Sequence, residues 1–131
     1  MKTYPVIVAG SRWIEDQHVV GDLLDSVKTL VGEIVSGGAR GVDSLGENWA
    51  KRNSIAIKKF PANWDLLGNA AGHERNVQMT RYDSSQNGYL LLVWDGESKG
   101  SLNMKTNAIR FSVPIFEYLV PRSRIRHHRP F

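Results

Sequence analysis

A glycine-rich segment, residues 36–43, carries residue types that suit phosphate binding. It reads Ser-Gly-Gly-Ala-Arg-Gly-Val-Asp, follows the short apolar run 33–35 and precedes a helical pattern that includes Leu45 and Trp49. Glycine lets the backbone approach an anion, and a helix N-terminus supplies unpaired N–H groups and a partial positive charge. The segment therefore predicts an anion-binding turn between a strand and a helix, although a Gly-Gly pair also closes ordinary corners of this kind.

Two other loops repeat this chemistry. Residues 10–13 read Gly-Ser-Arg-Trp, and residues 94–101 read Trp-Asp-Gly-Glu-Ser-Lys-Gly-Ser. Each loop combines glycine with a hydroxyl and a cation, which together offer close backbone approach, hydrogen-bond donors and charge balance to a phosphate. Three loops of this composition indicate a nucleotide or another phosphorylated small molecule as the ligand.

The candidate ligand-binding residues come from these loops and from one helix. They are Gly10, Ser11, Arg12, Ser36, Gly37, Gly38, Ala39, Arg40, Gly41, Asp43, Arg75, Asn76, Trp94, Asp95, Gly96, Ser98, Lys99, Gly100 and Ser101. Several have a structural alternative: Ser101 also suits a helix N-cap, and Arg12 and Arg40 also suit solvated surface positions. Asp43 suits a ribose contact or bracing of the turn, because a carboxylate repels phosphate. Trp94 also suits the core.

Apolar periodicity predicts strands and helices that alternate along the chain. The strands are predicted at residues 4–9, 33–36, 55–60, 89–94 and 113–118, and the helices at 17–30, 42–52, 74–82 and 101–110. A long loop is predicted at 61–72, where Trp64 suits either stacking on a base or pinning the loop to the body. The alternation predicts an α/β fold, a Rossmann-like doubly wound parallel sheet with helices on both faces.

The first and fourth predicted strands are the most apolar, so we expect them at the centre of the sheet. That placement predicts five strands in the order 3-2-1-4-5, with the switch point between strands one and four. Ligands of such sheets bind beyond the carboxyl ends of the strands at that point. The three loops therefore converge on one crevice.

Length and composition fit one domain, predicted at residues 1–120, followed by a basic tail at 121–131. The chain has 131 residues, of which 41% are apolar and 23% charged. The absence of cysteine excludes disulfides, thiolate nucleophiles and cysteine-bound zinc. No apolar run approaches the ~18 residues of a membrane span, and no signal-peptide pattern opens the chain, so we expect a cytoplasmic protein with no membrane contact.

The net charge of +4 belongs to the tail, which carries Arg122, Arg124, Arg126 and Arg129. The remaining 13 basic residues balance the 13 acidic ones. The tail suggests a weak contact with nucleic acid, although solvated basic termini are also common.

Metal ligands and oligomer contacts are weakly indicated by the sequence. No metal site is predicted from the four scattered or adjacent histidines. A Mg²⁺ ion would come only with a bound nucleotide, on Asp43 or Asp95. The apolar last strand leaves a homo-oligomer open.

Five segments of the chain resemble the SLOG superfamily, the Rossmann-like group that includes DNA-processing protein A and the "lonely guy" phosphoribohydrolases. The nearest resemblance is to its YspA/YpsA-related branch of small stand-alone domains. The segments are residues 8–12, 36–43, 60–64, 71–79 and 94–101. The resemblance implies a nucleotide-type ligand held by the second and fourth loops, with Arg75 and Asn76 reaching it from the third helix.

Two departures from the phosphoribohydrolase pattern bear on catalysis. That branch carries an Arg-Lys pair on the third helix and a glutamate in the motif Gly-Gly-x-Gly-Thr-x-x-Glu, whereas this chain has Asn76 and Met104 at those places. Cleavage of an N-glycosidic bond needs a carboxylate and a proton donor, so the remaining catalytic candidates, Arg75, Glu47 and Asp95, are weak.

The sequence therefore favours binding or sensing of a nucleotide or a nucleotide-derived phosphorylated ligand at the switch-point crevice. A nucleotide N-glycosidic hydrolase of the phosphoribohydrolase type is the alternative. Nucleic-acid binding through the basic tail is the third.

Overall fold

The computed structural model describes residues 2–122, apart from the side chain of Asn69. The elements are β1 (Tyr4–Gly10), α1 (Gln17–Asp25), β2 (Val31–Ser36), α2 (Val42–Arg52), β3 (Ala56–Lys59), α3 (Trp64–Leu67), α4 (Ala71–Ser85), β4 (Tyr89–Trp94), α5 (Lys99–Arg110) and β5 (Ile115–Leu119), with 3-10 turns at Lys28–Leu30 and Gly68–Ala70. The five strands form one parallel sheet in the order β3-β2-β1-β4-β5. The predicted fold class and strand order are confirmed.

The central strand β1 is buried on both faces, which explains its nearly continuous apolar sequence. Val6 and Val8 pack with apolar side chains of α1 and α2 on one face. Ile7 and Ala9 point to the other face and pack with α4 and α5. The sheet is thus the middle of three layers, with helices on both faces.

The first helix is shorter than the predicted span 17–30, because the chain leaves the α-helix at Ser26. The Ser26 hydroxyl donates to the Leu23 carbonyl at 2.6 Å, a local bond that competes with helix continuation. A 3-10 turn follows, and Leu30 remains 45% exposed. The helical spacing of apolar residues, which predicted a helix over 17–30, therefore extends past the end of the observed α-helix.

The predicted loop 61–72 is also partly helical, and α4 begins at Ala71 rather than Glu74. The Asn63 side chain accepts from the Leu66 amide at 3.2 Å and caps the short helix α3. Asparagine is a preferred N-cap residue, so the start of this short helix could have been predicted from the sequence.

Asp83, on α4, is fully buried beneath the sheet, and neither carboxylate oxygen has a well-formed hydrogen bond within residues 2–122. Burial raises the pKa of Asp83 from 3.8 to about 8, and the charge of Glu33 adds to the increase. The folded protein therefore holds a proton on Asp83 that the unfolded chain releases above about pH 4. The free energy of unfolding must fall as the pH rises from 4 to 8.

We expect the Asp83→Asn variant to be more stable than the parent at pH 8, by about 1–3 kcal/mol. The gain should shrink toward pH 4, where the carboxyl is protonated in both states. Urea unfolding at several pH values measures both effects. A variant that is equally destabilised at every pH would contradict this account.

Candidate functional site

A crevice of about 430 Å³ lies beyond the carboxyl ends of β1 and β4, at the switch point of the sheet. Most of the residues predicted for the site line it: Gly10, Ser11, Arg12, Ala39, Asp43, Arg75, Asn76, Asp95, Ser98, Gly100 and Ser101. The structure thus brings all three loops and helix α4 together, as the strand order predicted. Trp13, Met79, Glu97 and Met104 line the crevice as well.

Ser11 ties the three loops to one another. Its carbonyl accepts from the Val42 amide at 3.3 Å, and its buried hydroxyl accepts from the Asp95 amide at 3.1 Å. Gly41 permits this approach, because it has a φ of 73° and a Cβ there would lie 2.4 Å from the Ser11 carbonyl oxygen. The loops therefore form one connected rim rather than three independent turns.

Polar side chains hold the glycine-rich turn on the side that faces away from the crevice. The Ser36 hydroxyl donates to Glu47 at 2.6 Å and accepts from the Gly38 amide at 3.1 Å. Glu47 also forms an ion pair with Lys59 at 3.1 Å. Ser36 and the catalytic candidate Glu47 therefore hold the shape of the turn, and their side chains lie outside the crevice.

Asp43 is the buried carboxylate of the crevice, 5% exposed at the start of α2. Its Oδ2 accepts from the Ala39 amide at 3.2 Å. Burial raises the pKa of Asp43 to about 6, although the Ala39 hydrogen bond and the positive charge of Arg75 act in the opposite direction. Asp43 thus both braces the turn and titrates near neutral pH.

Arg75 reaches the crevice from α4 and packs against the glycine-rich turn. Its Nη1 donates to the Gly37 carbonyl at 3.0 Å, and a Cβ on Gly37 would lie only 2.8 Å from Nε. Burial lowers the pKa of Arg75; the Asp43 carboxylate opposes this, and the charge of Arg12 adds to it. The buried Nε has no hydrogen-bond partner within the described residues.

Asp95 stabilises the loop after β4. Its Oδ2 accepts from the Trp13 indole at 2.8 Å, and its Oδ1 accepts from the Glu97 and Ser98 amides at 2.9 and 3.0 Å. Although burial raises the pKa of Asp95, these hydrogen bonds keep it below its ordinary value. The side chain is therefore an anion whose acceptors are engaged, which suits loop bracing better than proton donation.

Helix α5 points its N-terminus at the crevice. Its N-cap is Ser98, whose hydroxyl accepts from the Ser101 amide at 3.4 Å, so the alternative role of Ser101 as N-cap is wrong. The Ser101 hydroxyl is buried, and its oxygen has no hydrogen-bond partner in residues 2–122. The Ser101 residue itself lines the crevice.

Asn76, at the place where the phosphoribohydrolases carry lysine, joins α4 to α5. Its Nδ2 donates to Asn103 Oδ1 at 2.9 Å and lies 3.4 Å from the Gly100 carbonyl. Met104 is 2% exposed and packs in the core below the crevice. Neither side chain supplies the cation or the carboxylate of the phosphoribohydrolase pattern.

The remaining predicted residues do not line the crevice. They are Ser36, Gly37, Gly38, Arg40, Gly41, Trp94, Gly96 and Lys99. Trp94 is 4% exposed, and its indole donates to Glu117 at 2.7 Å, so it belongs to the core.

Sequence reasoning missed the place of Trp13 in the crevice. The guanidinium of Arg122, the second residue of the predicted basic tail, lies 5.7 Å from the Trp13 ring centroid and also lines the crevice. Arg124, Arg126 and Arg129 lie outside the described residues. The only feature of the sequence that pointed to Trp13 is its position in the predicted ligand-binding loop, residues 10–13.

Within residues 2–122, no helix is long and apolar enough to cross a membrane. In the same part of the chain, no three histidine or carboxylate side chains lie close enough together to hold a metal ion. The crevice is lined by hydrogen-bond donors, by the carboxylates of Asp43, Asp95 and Glu97, and by arginines.

Comparison with known proteins agrees with this architecture. Residues 4–67 match the model of the YspA, cpYpsA-related SLOG family. The gene 61 protein of Mycobacterium phage D29 is 28% identical over 123 residues, covering 86% of this chain and 94% of the relative.

A solved structure, DNA processing protein A (DprA) from Streptococcus pneumoniae, shares the fold at a TM-score of 0.68 and 15% identity. The match covers 98% of this chain but only 62% of DprA, so this chain corresponds to part of that protein. Together these findings confirm the resemblance of the chain to the SLOG superfamily, in its YspA/cpYpsA-related branch.

Proposed function

We propose that the crevice binds a nucleotide or a nucleotide-derived phosphorylated molecule, and that binding rather than turnover is the function of this protein. One observation carries the proposal: Ser101 Oγ and Arg75 Nε, on two side chains that line the crevice, are buried and have no hydrogen-bond partner within the described residues. Burying a polar group without a partner costs about 1–3 kcal/mol. A bound phosphate or sugar would supply partners to both once the Ser101 and Arg75 side chains rotate toward it.

The surroundings of the two donors suit a phosphate. The N-terminus of α5 points at the same space, and the positively charged Arg75 side chain lines it. Helix N-termini and arginine are the usual partners of phosphate oxygens. Asp43 suits the hydroxyls of a ribose, since its carboxylate accepts hydrogen bonds and repels phosphate.

Isothermal titration with nucleoside 5′-monophosphates, the matching nucleosides and inorganic phosphate tests the proposal. We expect saturable heat with at least one monophosphate, and weaker binding of its nucleoside because the phosphate contacts are lost. Absence of binding to every nucleotide would overturn the proposal.

We expect the Ser101→Ala variant to weaken nucleotide binding about fivefold to tenfold, as loss of one hydrogen bond worth ~1 kcal/mol requires. The fold should be unaffected, because the hydroxyl has no protein partner. Ser85→Ala, an exposed serine at the far end of α4, is the matched control and should bind like the parent. Equal affinity in the Ser101 variant and the control would contradict the assignment of this hydroxyl.

A nucleotide N-glycosidic hydrolase is the second candidate, and Asp43 is the observation that favours it. A carboxyl whose pKa lies near 6 in a crevice beside an arginine suits proton transfer at neutral pH. Chromatography of a nucleoside monophosphate incubated with the protein measures release of the free base. Release that disappears in Asp43→Asn would support turnover, and an unchanged nucleotide would leave binding as the function.

A further inference from the structure

A second basin adjoins the crevice on the other side of Arg75. Its volume is about 460 Å³, close to that of the crevice, and it lies between the glycine-rich turn and the segment that follows β3. The two cavities share Arg12, Ala39 and Arg75. A ligand longer than one nucleotide could therefore run from one cavity into the other past Arg75.

The second basin is strongly cationic. Arg12, Arg40, Lys59 and Arg75 line it, and no carboxylate does. Within the part of the chain that the structure describes, neither Arg12 nor Arg40 pairs with a carboxylate, whereas Lys59 pairs with Glu47 from behind. Because Arg12 and Arg75 repel each other across the boundary of the two cavities, an anion placed there would relieve the repulsion of both.

The second basin also offers an aromatic surface. Trp64 begins α3 and is 51% exposed, which is unusual for a large apolar side chain. Trp64 and Arg75 both line the basin and both approach Gly72, where a Cβ would lie 3.5 Å from the Trp64 Cη2 and 3.8 Å from the Arg75 Nη2. An exposed indole beside arginines is the combination on which nucleobases stack.

The backbone on the facing side is open to a ligand. Gly38 has a φ of 76°, and no atom lies within 4 Å of the position that a Cβ would take. At Gly38 the turn therefore presents bare backbone to the second basin, next to the Arg40 side chain.

We propose that the second basin binds the second nucleotide unit of a dinucleotide-type ligand. The first unit occupies the crevice, the linking phosphate lies against Arg75, Arg12 and Arg40 balance the charge, and the second base stacks on Trp64. This proposal rests on the proposed function of the crevice and narrows its ligand from nucleotides in general to molecules with two nucleotide units.

Isothermal titration with 5′-phosphorylated diadenylate and with AMP tests the second basin and the crevice separately. We expect diadenylate to bind at least tenfold more tightly than AMP. Equal affinities would overturn the second basin while leaving the nucleotide crevice intact. Absence of binding to either would overturn both. Binding of a single-stranded dodecanucleotide without binding of diadenylate would overturn the proposal in favour of nucleic acid.

Variants assign the effect to the second basin. Arg40→Gln and Trp64→Ala should each weaken diadenylate binding about fivefold or more while leaving AMP binding unchanged, because stacking and charge balance are lost only for the second unit. Trp64→Phe should recover most of the affinity. Arg52→Gln, an exposed arginine at the end of α2, is the matched control.

Thermal melts of the same variants separate loss of fold from loss of binding. A Trp64→Ala protein that melts early is set aside in favour of Arg40→Gln, whose exposed side chain makes no ion pair within residues 2–122. Parallel losses of AMP and diadenylate affinity in Arg40→Gln would contradict the second basin.

Discussion

Gly10→Ala is expected to destabilise the protein by at least about 3 kcal/mol, at the upper end of what overpacking usually costs. A Cβ on Gly10 would lie 1.7 Å from the Val93 carbonyl oxygen and 2.7 Å from its carbon. Both neighbours are backbone atoms of the central strand pair, where Gly10 stands opposite Val93. The clash can be relieved only by separating β1 from β4, which would also open the crevice.

Gly100→Ala is the matched control for this substitution. Gly100 lies in α5, and no atom stands within 4 Å of the position of its Cβ. Alanine there should be neutral or stabilising by up to about 1 kcal/mol, since it restricts the unfolded chain. Urea unfolding compares the two variants. A Gly10→Ala protein as stable as the parent would show that the strands separate more easily than their packing indicates.

Arg75→Ala is expected to reduce nucleotide affinity about tenfold to a hundredfold, the equivalent of one charge-assisted hydrogen bond of ~1.5–3 kcal/mol. The side chain stands at the boundary of both cavities, with an unpartnered Nε. The loss should therefore affect AMP and diadenylate alike, unlike the loss in Arg40→Gln. Titration with both ligands measures this difference.

The controls for Arg75 separate charge from shape. Arg75→Lys keeps the charge but lacks the Nε–H, so it should recover only part of the affinity. Arg81→Ala removes an exposed arginine about 1.7 turns further along α4 and should bind normally. If Arg75→Ala bound AMP as tightly as the parent, Arg75 would be a packing residue of the glycine-rich turn.

The strand order could be predicted from the sequence because a strand that is buried on both faces is apolar at nearly every position. Residues 4–9 and 89–94 are almost uninterrupted apolar runs, which only the middle of a parallel sheet requires. Once those strands were central, the ends of β1, β2 and β4 had to meet, and eleven of the predicted site residues line one crevice as a result.

The errors came from features that depend on local competition or on side-chain direction. Helix α1 ends at Asp25, next to the Ser26 hydroxyl that bonds the Leu23 carbonyl, and apolar spacing does not record this end. Trp94 lies in the core because it shares its face of β4 with Leu90 and Leu92, which alternation along the strand could have revealed. The second basin brings Lys59, at the end of β3, and Trp64, on α3, to the turn after β2. The predicted strand order placed β3 beside β2, but it did not show where these side chains point.

The hydrogen bond between the Ser11 hydroxyl and the Asp95 amide joins residues 84 positions apart. Loop-closure entropy delays such distant contacts during folding, so we expect the crevice to form only after β4 has added to the sheet. A partly folded chain would then lack the site, and a ligand would stabilise the completed domain alone. Under the proposed function, a bound nucleotide would therefore stabilise the finished protein and would not speed its folding.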